Sequence, residues 1–211
     1  MSYIKCQNYS KKLNGHLVLN DVSIEIKRGE CVGLWGRNAS GKTMLLRAFA
    51  GLILPDCGSV SVAGRQLTTR HRFPESLGLM IENLAFWPFM TGKDALEVIA
   101  SIKKLADAEK ISDTMQRVGL DPDDRRTIRK YSLGMVQKLA IAQAIMESPD
   151  LLLLDEPTNA LDEKSRKHFY DIVQDEIQRE TTLVMASHTR EDLEQCCHRV
   201  IQIDQGRIIE I

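Results

Sequence analysis

Apolar and polar residues alternate early in the chain. Val22, Ile24 and Ile26 are each separated by a polar neighbour, and that period of two predicts a half-buried strand within a first 35 residues that read as β throughout. Arg28-Gly29-Glu30 marks a turn. Cys31-Val32-Gly33-Leu34-Trp35 predicts a short apolar strand running into a glycine-rich loop. Past the loop, Leu45, Leu46 and Phe49 fall at helical spacing, with Gly51 where a helix would end. Pro55, Gly58 and Gly64 bracket the alternating pair Val60 and Val62, a strand between turns.

The pattern then turns helical over 93–119, with a break near Ala106 to Glu109. A charged linker follows over 121–130. A helix is expected from about Met135 to Glu147, with Leu139, Ala142 and Ile145 on one face. Leu151 to Leu154 is wholly apolar, which suits a strand buried on both faces of a parallel sheet. A helix over 163–179 and a strand over Thr182–Ser187 come next. Thr189 with Asp192 has the spacing of a capping box. Val200–Ile203, Asp204-Gln205-Gly206 and Arg207–Ile211 read as a hairpin. This alternation of strands and helices gives the α/β class. The chain is expected to be a single domain over 1–211, with a helical subdomain inserted at about 84–148.

Composition narrows the partners. The 211 residues are 43% hydrophobic and 27% charged, enough for a buried core and against disorder. Aromatics are 5%, which disfavours a stacking platform for single-stranded nucleic acid. Lys plus Arg number 28 and Asp plus Glu 29, a net charge of -1, so no bulk attraction to nucleic acid or anionic lipid is expected. No apolar run approaches the ~20 residues that span a bilayer. The first residues hold no apolar leader segment, so no secretion signal is expected. The five cysteines are odd in number and scattered, which argues against a disulfide framework. Cys196-Cys197-His198 is read as structural, because no second ligand pair accompanies it. The expectation is a reduced, cytoplasmic protein.

Two segments carry chemistry. Gly36-Arg37-Asn38-Ala39-Ser40-Gly41-Lys42-Thr43 fits G-x-x-x-x-G-K-[ST] in full. In such a loop the glycines let backbone N–H groups curl around phosphates, and the next helix adds its partial positive charge. Lys42 reaches the β/γ-phosphates and Thr43 offers its hydroxyl to Mg²⁺. The second segment is Leu151 to Leu154 followed by Asp155-Glu156-Pro157. Carboxylates at the end of a buried parallel strand stand where open α/β sheets bind ligands. Asp155 is the candidate for holding Mg²⁺ through water, and Glu156 the candidate general base. His188, after a third apolar strand, is a candidate for sensing the γ-phosphate or polarising the water. Taken alone, LLLLDE is equally a buried strand with a charged turn, and a lone His is more often structural.

These residues resemble an ATP-binding cassette (ABC) ATPase, the nucleotide-binding subunit of ABC transporters, along nearly the whole chain. The family's motifs occur in order: the phosphate loop Gly36–Thr43, a Q-loop around Glu82, a signature at Tyr131-Ser132-Leu133-Gly134-Met135, the strand end Asp155-Glu156, a D-loop at Asn159-Ala160-Leu161-Asp162, and a switch His at His188. The resemblance implies a P-loop (RecA-like) core with an N-terminal antiparallel β subdomain and an inserted helical subdomain. It implies ATP and Mg²⁺, with Ser132 and Gly134 contacting the nucleotide of a partner cassette in a head-to-tail dimer, homo- or heteromeric. The signature departs from the family at Leu133 and Met135. Glu82 stands at the Q-loop Gln, a carboxylate that can approach Mg²⁺. Leu13 aligns with the aromatic that stacks on adenine and offers no π-face; nearby Tyr9 is the alternative.

The signature, the Glu82 loop and Phe86-Trp87-Pro88-Phe89 look like the branch that pairs with ABC-2-type membrane subunits, bacitracin and lantibiotic exporters among them. In that branch the aromatic cluster docks a separate transmembrane permease, which puts the chain peripherally on the inner face of the membrane; the same aromatics also suit the helical subdomain's own core. Two other readings remain at this point. A soluble ABC ATPase acting on ribosomes or DNA is disfavoured by one cassette, near-neutral charge and no room for long coiled coils between Thr43 and Tyr131. A regulator without turnover is disfavoured by intact Lys42, Asp155, Glu156 and His188.

Overall fold

The computed structural model describes residues 2–81 and 86–210. Among the described residues the strands form two sheets. The first is antiparallel: β1 (Ser2–Leu13), β2 (His16–Lys27), β4 (Cys57–Val62) and β5 (Arg65–Gln66) lie in the order β2-β1-β4-β5. The second contains β3 (Cys31–Trp35), β6 (Leu77–Met80), β7 (Leu151–Asp155), β8 (Thr182–Ser187), β9 (Arg199–Asp204) and β10 (Arg207–Glu210), in the order β10-β9-β3-β8-β7-β6. Its pairs are parallel except the final hairpin β9–β10.

The alternation at Val22, Ile24 and Ile26 buries those three and leaves Glu25 and Ser23 outside. The unbroken apolar strands have a different reason. Along β7, Leu151 and Leu153 enter one hydrophobic core with β1, β2, β4 and helix α1 (Lys42–Phe49). Leu152 and Leu154 enter a second core with α2 (Gly92–Lys103), α3 (Ala108–Arg117), α4 (Leu133–Ile145), α5 (Glu163–Gln178) and α6 (Arg190–Cys196). β8 divides in the same way: Val184 and Ala186 face the first core, Leu183 and Met185 the second. Between its ends, a strand covered on both faces has no solvent-facing position for a polar side chain, which is why period-two alternation disappears.

Side-chain caps set several helix starts. Thr91, Asp107, Ser132 and Asp162 each accept a hydrogen bond from the backbone N–H three residues on, relieving orphan donors of the first turn. The capping box expected at Thr189 and Asp192 does not form. Thr189 makes no side-chain cap, and the Asp192 carboxylate, which would supply the reciprocal bond, turns inward and accepts from Thr158 and Tyr170, each at 2.6 Å. Strand β6 lacks a turn signal of its own. It is fixed by pairing with β7, Gly78 opposite Leu152.

Gly78 has its own packing reason. A Cβ there would run into the Ala144 carbonyl of α4 and lie 2.7 Å from Pro149 Cγ. Overpacking of this kind costs about 1–3 kcal/mol. Gly78→Ala is therefore expected to lower the melting temperature by roughly 3–10 °C. A thermal melt at wild-type temperature would show that α4 is not held against β6 as described.

Candidate active site

Parallel strands β3, β7 and β8 end at one edge of the sheet, with Trp35 in register with Ser187 and Asp155 with Ala186. Each expected chemical group leaves from that edge. The loop after β3 enters α1 through Gly41, whose φ of 114° suits glycine, and through Ala39 at φ 62°. Gly36 lies so close to strand β9 that a Cβ would strike the Ile203 carbonyl. Gly206 N–H donates to Ser40 O at 2.8 Å, so the hairpin of β9 and β10 braces the loop. No acidic side chain occupies the first turn of α1, which leaves that helix terminus attractive to an anion.

Lys42 is buried. Its Nζ donates to Gly36 O at 2.7 Å and Arg37 O at 3.2 Å, and stands 3.8 Å from Glu156 Oε1. Thr43 Oγ1 donates to Asp155 Oδ2 at 2.6 Å. Glu156 has a left-handed backbone (φ 49°), an uncommon conformation for this residue type. Its N–H donates to Ala186 O at 2.9 Å. His188 Nδ1 is 2.8 Å from Glu156 Oε2, and Ser187 Oγ donates to the same oxygen at 3.5 Å.

A cavity of about 900 Å³ opens at this edge. Leu13, Asn38 to Thr43, Gln137, Asp155, Glu156 and Asn159 are among its walls. Gly36, Arg37 and His188 border an adjoining recess together with Asn38, Ala39 and Ser40. The residues fit a triphosphate with a hard cation. The loop presents backbone N–H groups and a buried ammonium, the Ser40 hydroxyl is buried without a partner, and the Thr43–Asp155 pair offers oxygens, which suits Mg²⁺.

Other expected positions lie elsewhere. Ser132 and Gly134 stand at the start of α4 and do not line this cavity; Ser132 is exposed and Gly134 half-buried. Glu82 lies outside the described residues. Leu13 is on the cavity wall with His16, Leu17 and Val18. Tyr9 does not serve as the base-stacking ring: it is fully buried, donates its hydroxyl to Ile53 O at 2.9 Å, and burial pushes that hydroxyl's pKa up. Of the aromatic group, Phe86 packs against the second core, whereas Trp87 is 41% and Phe89 70% exposed. At the Cys196-Cys197-His198 cluster, Cys197 Sγ is 3.5 Å from Cys31 Sγ, and His198 Nδ1 accepts from Cys31 N–H.

Two residues matter here whose roles the sequence did not show: Gln137, which it did not single out, and Asp192, which it offered only as part of a helix cap. Gln137 of α4 donates to the carbonyls of Glu156 (3.0 Å) and Pro157 (2.9 Å), bridging the second core to the carboxylate end of β7. Asp192, 4% exposed, ties Thr158 just past Glu156 to α5 and α6. No local pattern marks these contacts, since the partners are 19 to 34 positions away.

Comparison with known proteins agrees with this geometry. The sequence profile of the ABC transporter family matches residues 19–159. The chain is 43% identical over 205 residues to the uncharacterized ABC transporter ATP-binding protein YybJ of Bacillus subtilis, covering 97% of this chain and 94% of that one. It is 30% identical to the lantibiotic transport ATP-binding protein SrtF of Streptococcus pyogenes, covering 98% and 89%. The structure of the ATP-binding cassette MJ0796, a dimer in a post-hydrolysis state bound to ADP and Pi, superposes with a TM-score of 0.88 at 21% identity, covering 98% and 97%. The fold is accordingly the P-loop α/β core with an antiparallel β sheet. With its phosphate loop, strand-end carboxylates and profile match in one frame, the chain belongs to the ABC transporter family, as one of its ATP-binding, ATP-hydrolysing subunits.

Proposed function

We propose that this subunit drives an exporter whose membrane-spanning part is a separate permease, and that Glu156 and His188 carry its hydrolytic step. The supporting observation is the convergence of Lys42, Glu156 and His188 at one sheet edge, with Glu156 3.8 Å from Lys42 and 2.8 Å from His188. The exporter reading follows the lantibiotic transport relative. Among the described residues no helix is long and apolar enough to cross a membrane.

In this mechanism the loop Gly36–Thr43 binds the triphosphate through backbone N–H groups, and Lys42 faces the β/γ-phosphates. Thr43 and Asp155, with Glu82, would hold Mg²⁺, which would neutralise charge on the phosphates. Glu156 takes the proton of the water that attacks the γ-phosphorus, and the bond to the bridging oxygen of ADP breaks. His188 holds the Glu156 carboxylate and faces the γ-phosphate recess. Ser132 and Gly134 act across a head-to-tail dimer on the partner's nucleotide. Leu133, 79% exposed beside them, is a surface such a dimer would cover. Residues 84–148 act as the helical subdomain that relays this state to the permease.

Glu156→Gln removes the base and keeps size and polarity. It is expected to reduce steady ATP hydrolysis by at least 10²-fold while leaving ATP binding intact, and to accumulate an ATP-bound dimer on size exclusion. Turnover at the wild-type rate would overturn the assignment.

Base recognition is expected to be loose. The wall of Leu13, Leu17 and Val18 gives apolar contact without reading a base edge, and Tyr9 is committed to the core. GTP should support hydrolysis within about tenfold of ATP, a difference under roughly 1.4 kcal/mol. A hundredfold preference in a side-by-side kcat/KM measurement would overturn this reading and point to His16, the one ring on the same wall among the described residues, as a base-reading group.

Trp87 and Phe89 face outward beside the helical elements, and an exposed aromatic anchor is the usual form of a binding hot spot. Trp87→Ala should leave the melting temperature and basal ATPase nearly unchanged, while weakening permease co-purification by about 2 kcal/mol or more. Retention of the permease by this variant in a pull-down would remove Trp87 from the docking surface.

A further inference from the structure

Trp35 ends β3, immediately before the phosphate loop, and is only half-buried. It borders the recess shared by Gly36 to Ser40 and His188. Its indole Nε1–H donates to the main-chain carbonyl of His188 at 3.3 Å. The guanidinium of Arg190 lies over its ring, 5.4 Å from the centroid, within the range of a cation–π contact. Arg190 is steadied in turn by Glu194, at 2.7 Å along α6. Thr189 N–H donates to Ser187 Oγ at 3.0 Å. The turn from β8 into α6 is therefore held at three successive residues, and one side chain from the neighbouring strand touches two of them.

The His188 ring itself is 51% exposed and meets Glu156 through Nδ1 at 2.8 Å. A half-exposed ring is fixed less by packing than by the backbone that carries it. A shift of that carbonyl by a few tenths of an ångström lengthens the Nδ1–Oε2 contact, and hydrogen bonds weaken with distance and angle. The parallel register that sets Trp35 against Ser187 puts the indole beneath the next residue.

We propose that Trp35 is a positioning residue for hydrolysis: its indole N–H and ring hold the His188–Arg190 turn so that the imidazole stays on Glu156. The proposal rests on the reading that Glu156 and His188 carry the hydrolytic step. It adds a direct mechanical link between the strand that feeds the phosphate loop and the switch histidine.

The test is steady-state ATPase of the purified full chain with Mg²⁺ and ATP, at protein concentrations where the rate per protomer has levelled off. Trp35→Phe keeps a ring for Arg190 and removes the N–H. It is expected to lower kcat about 3- to 10-fold, the scale of one hydrogen bond, with KM for ATP within about twofold of wild type and a melting temperature within about 2 °C. Arg190→Gln, at an exposed position, removes the cation from the ring without touching the core. It should lower kcat about 2- to 3-fold at unchanged KM, on the scale of an exposed cation–π contact. Wild-type kcat in both variants overturns the proposal. So does a Trp35→Phe defect that appears equally in KM or in melting temperature while Arg190→Gln behaves as wild type. If Trp35→Phe does not fold, Arg190→Gln decides alone: a lowered kcat supports the link and a normal one removes it. Failure of the underlying reading is seen separately, as retained turnover in Glu156→Gln.

Discussion

The hydrogen bond from Thr43 to Asp155, 2.6 Å long and closing 112 residues of chain, is the constraint around which the site is organised. It requires the strand before the phosphate loop and the strand before the carboxylates to run parallel and to end together. Strand β8 sits between them and pairs with both. Because parallel strands point their carboxyl ends the same way, the loop, the carboxylates and His188 are all delivered to a single edge. Had any one of the three strands run the other way, its chemical group would lie at the opposite end of the sheet, a full strand length away.

That edge is also a boundary between two packed bodies. Helix α1 belongs to the core that contains the antiparallel sheet, through Leu45, Leu46 and Phe49. Helix α4 belongs to the other, through Leu139, Ala142 and Ile145. The carboxylate strand β7 contributes alternate leucines to each. Gln137 carries the polar connection across, with two hydrogen bonds onto the main chain at Glu156 and Pro157. Those bonds lie where the backbone adopts its left-handed turn, a conformation that costs of order 1–3 kcal/mol and persists only when its surroundings over-determine it. The Ala186 carbonyl below Glu156 and the Gln137 amide beside it supply that determination.

The strands and helices were legible wherever a local pattern governs them: the alternation of β2, the apolar runs of β3, β7 and β8, and the loop motif with its following helix. Legibility failed where a residue's partner is distant. Thr189 and Asp192 have capping spacing, yet Asp192 is claimed by Thr158 and Tyr170. A buried carboxylate with two donors gains more than an exposed cap offers, and hydroxyls left without it would be unpaired in the core. Tyr9 shares strand parity with Leu13, which makes both look available to the same face. Tyr9 lies in the middle of β1, where its hydroxyl reaches Ile53 O within the first core, whereas Leu13 is the last residue of the strand, at the turn into β2. Tyr9 thus ends in the core and Leu13 on the cavity wall. The strand β6 and the roles of Gln137 and Trp35 are set by register with neighbours that no window along the chain contains.

The division of contacts around Glu156 follows from how Lys42 is satisfied. A buried ammonium needs compensation, and in this site the main-chain carbonyls of Gly36 and Arg37 supply it at 2.7 and 3.2 Å. The Glu156 carboxylate, at 3.8 Å, is then near enough to feel the cation and too far to be held by it as a hydrogen-bond acceptor. Its Oε2 is taken by His188 and Ser187, which fix its direction. Oε1 is the oxygen that faces the lysine across the cavity. One oxygen of the carboxylate positions the group while the other points toward the place where phosphate would lie. Because the lysine finds its partners on the backbone of its own loop, the carboxylate of the proposed base is not committed to charge compensation. Had the ion pair been the means of burying Lys42, the base would have been tied up in charge compensation.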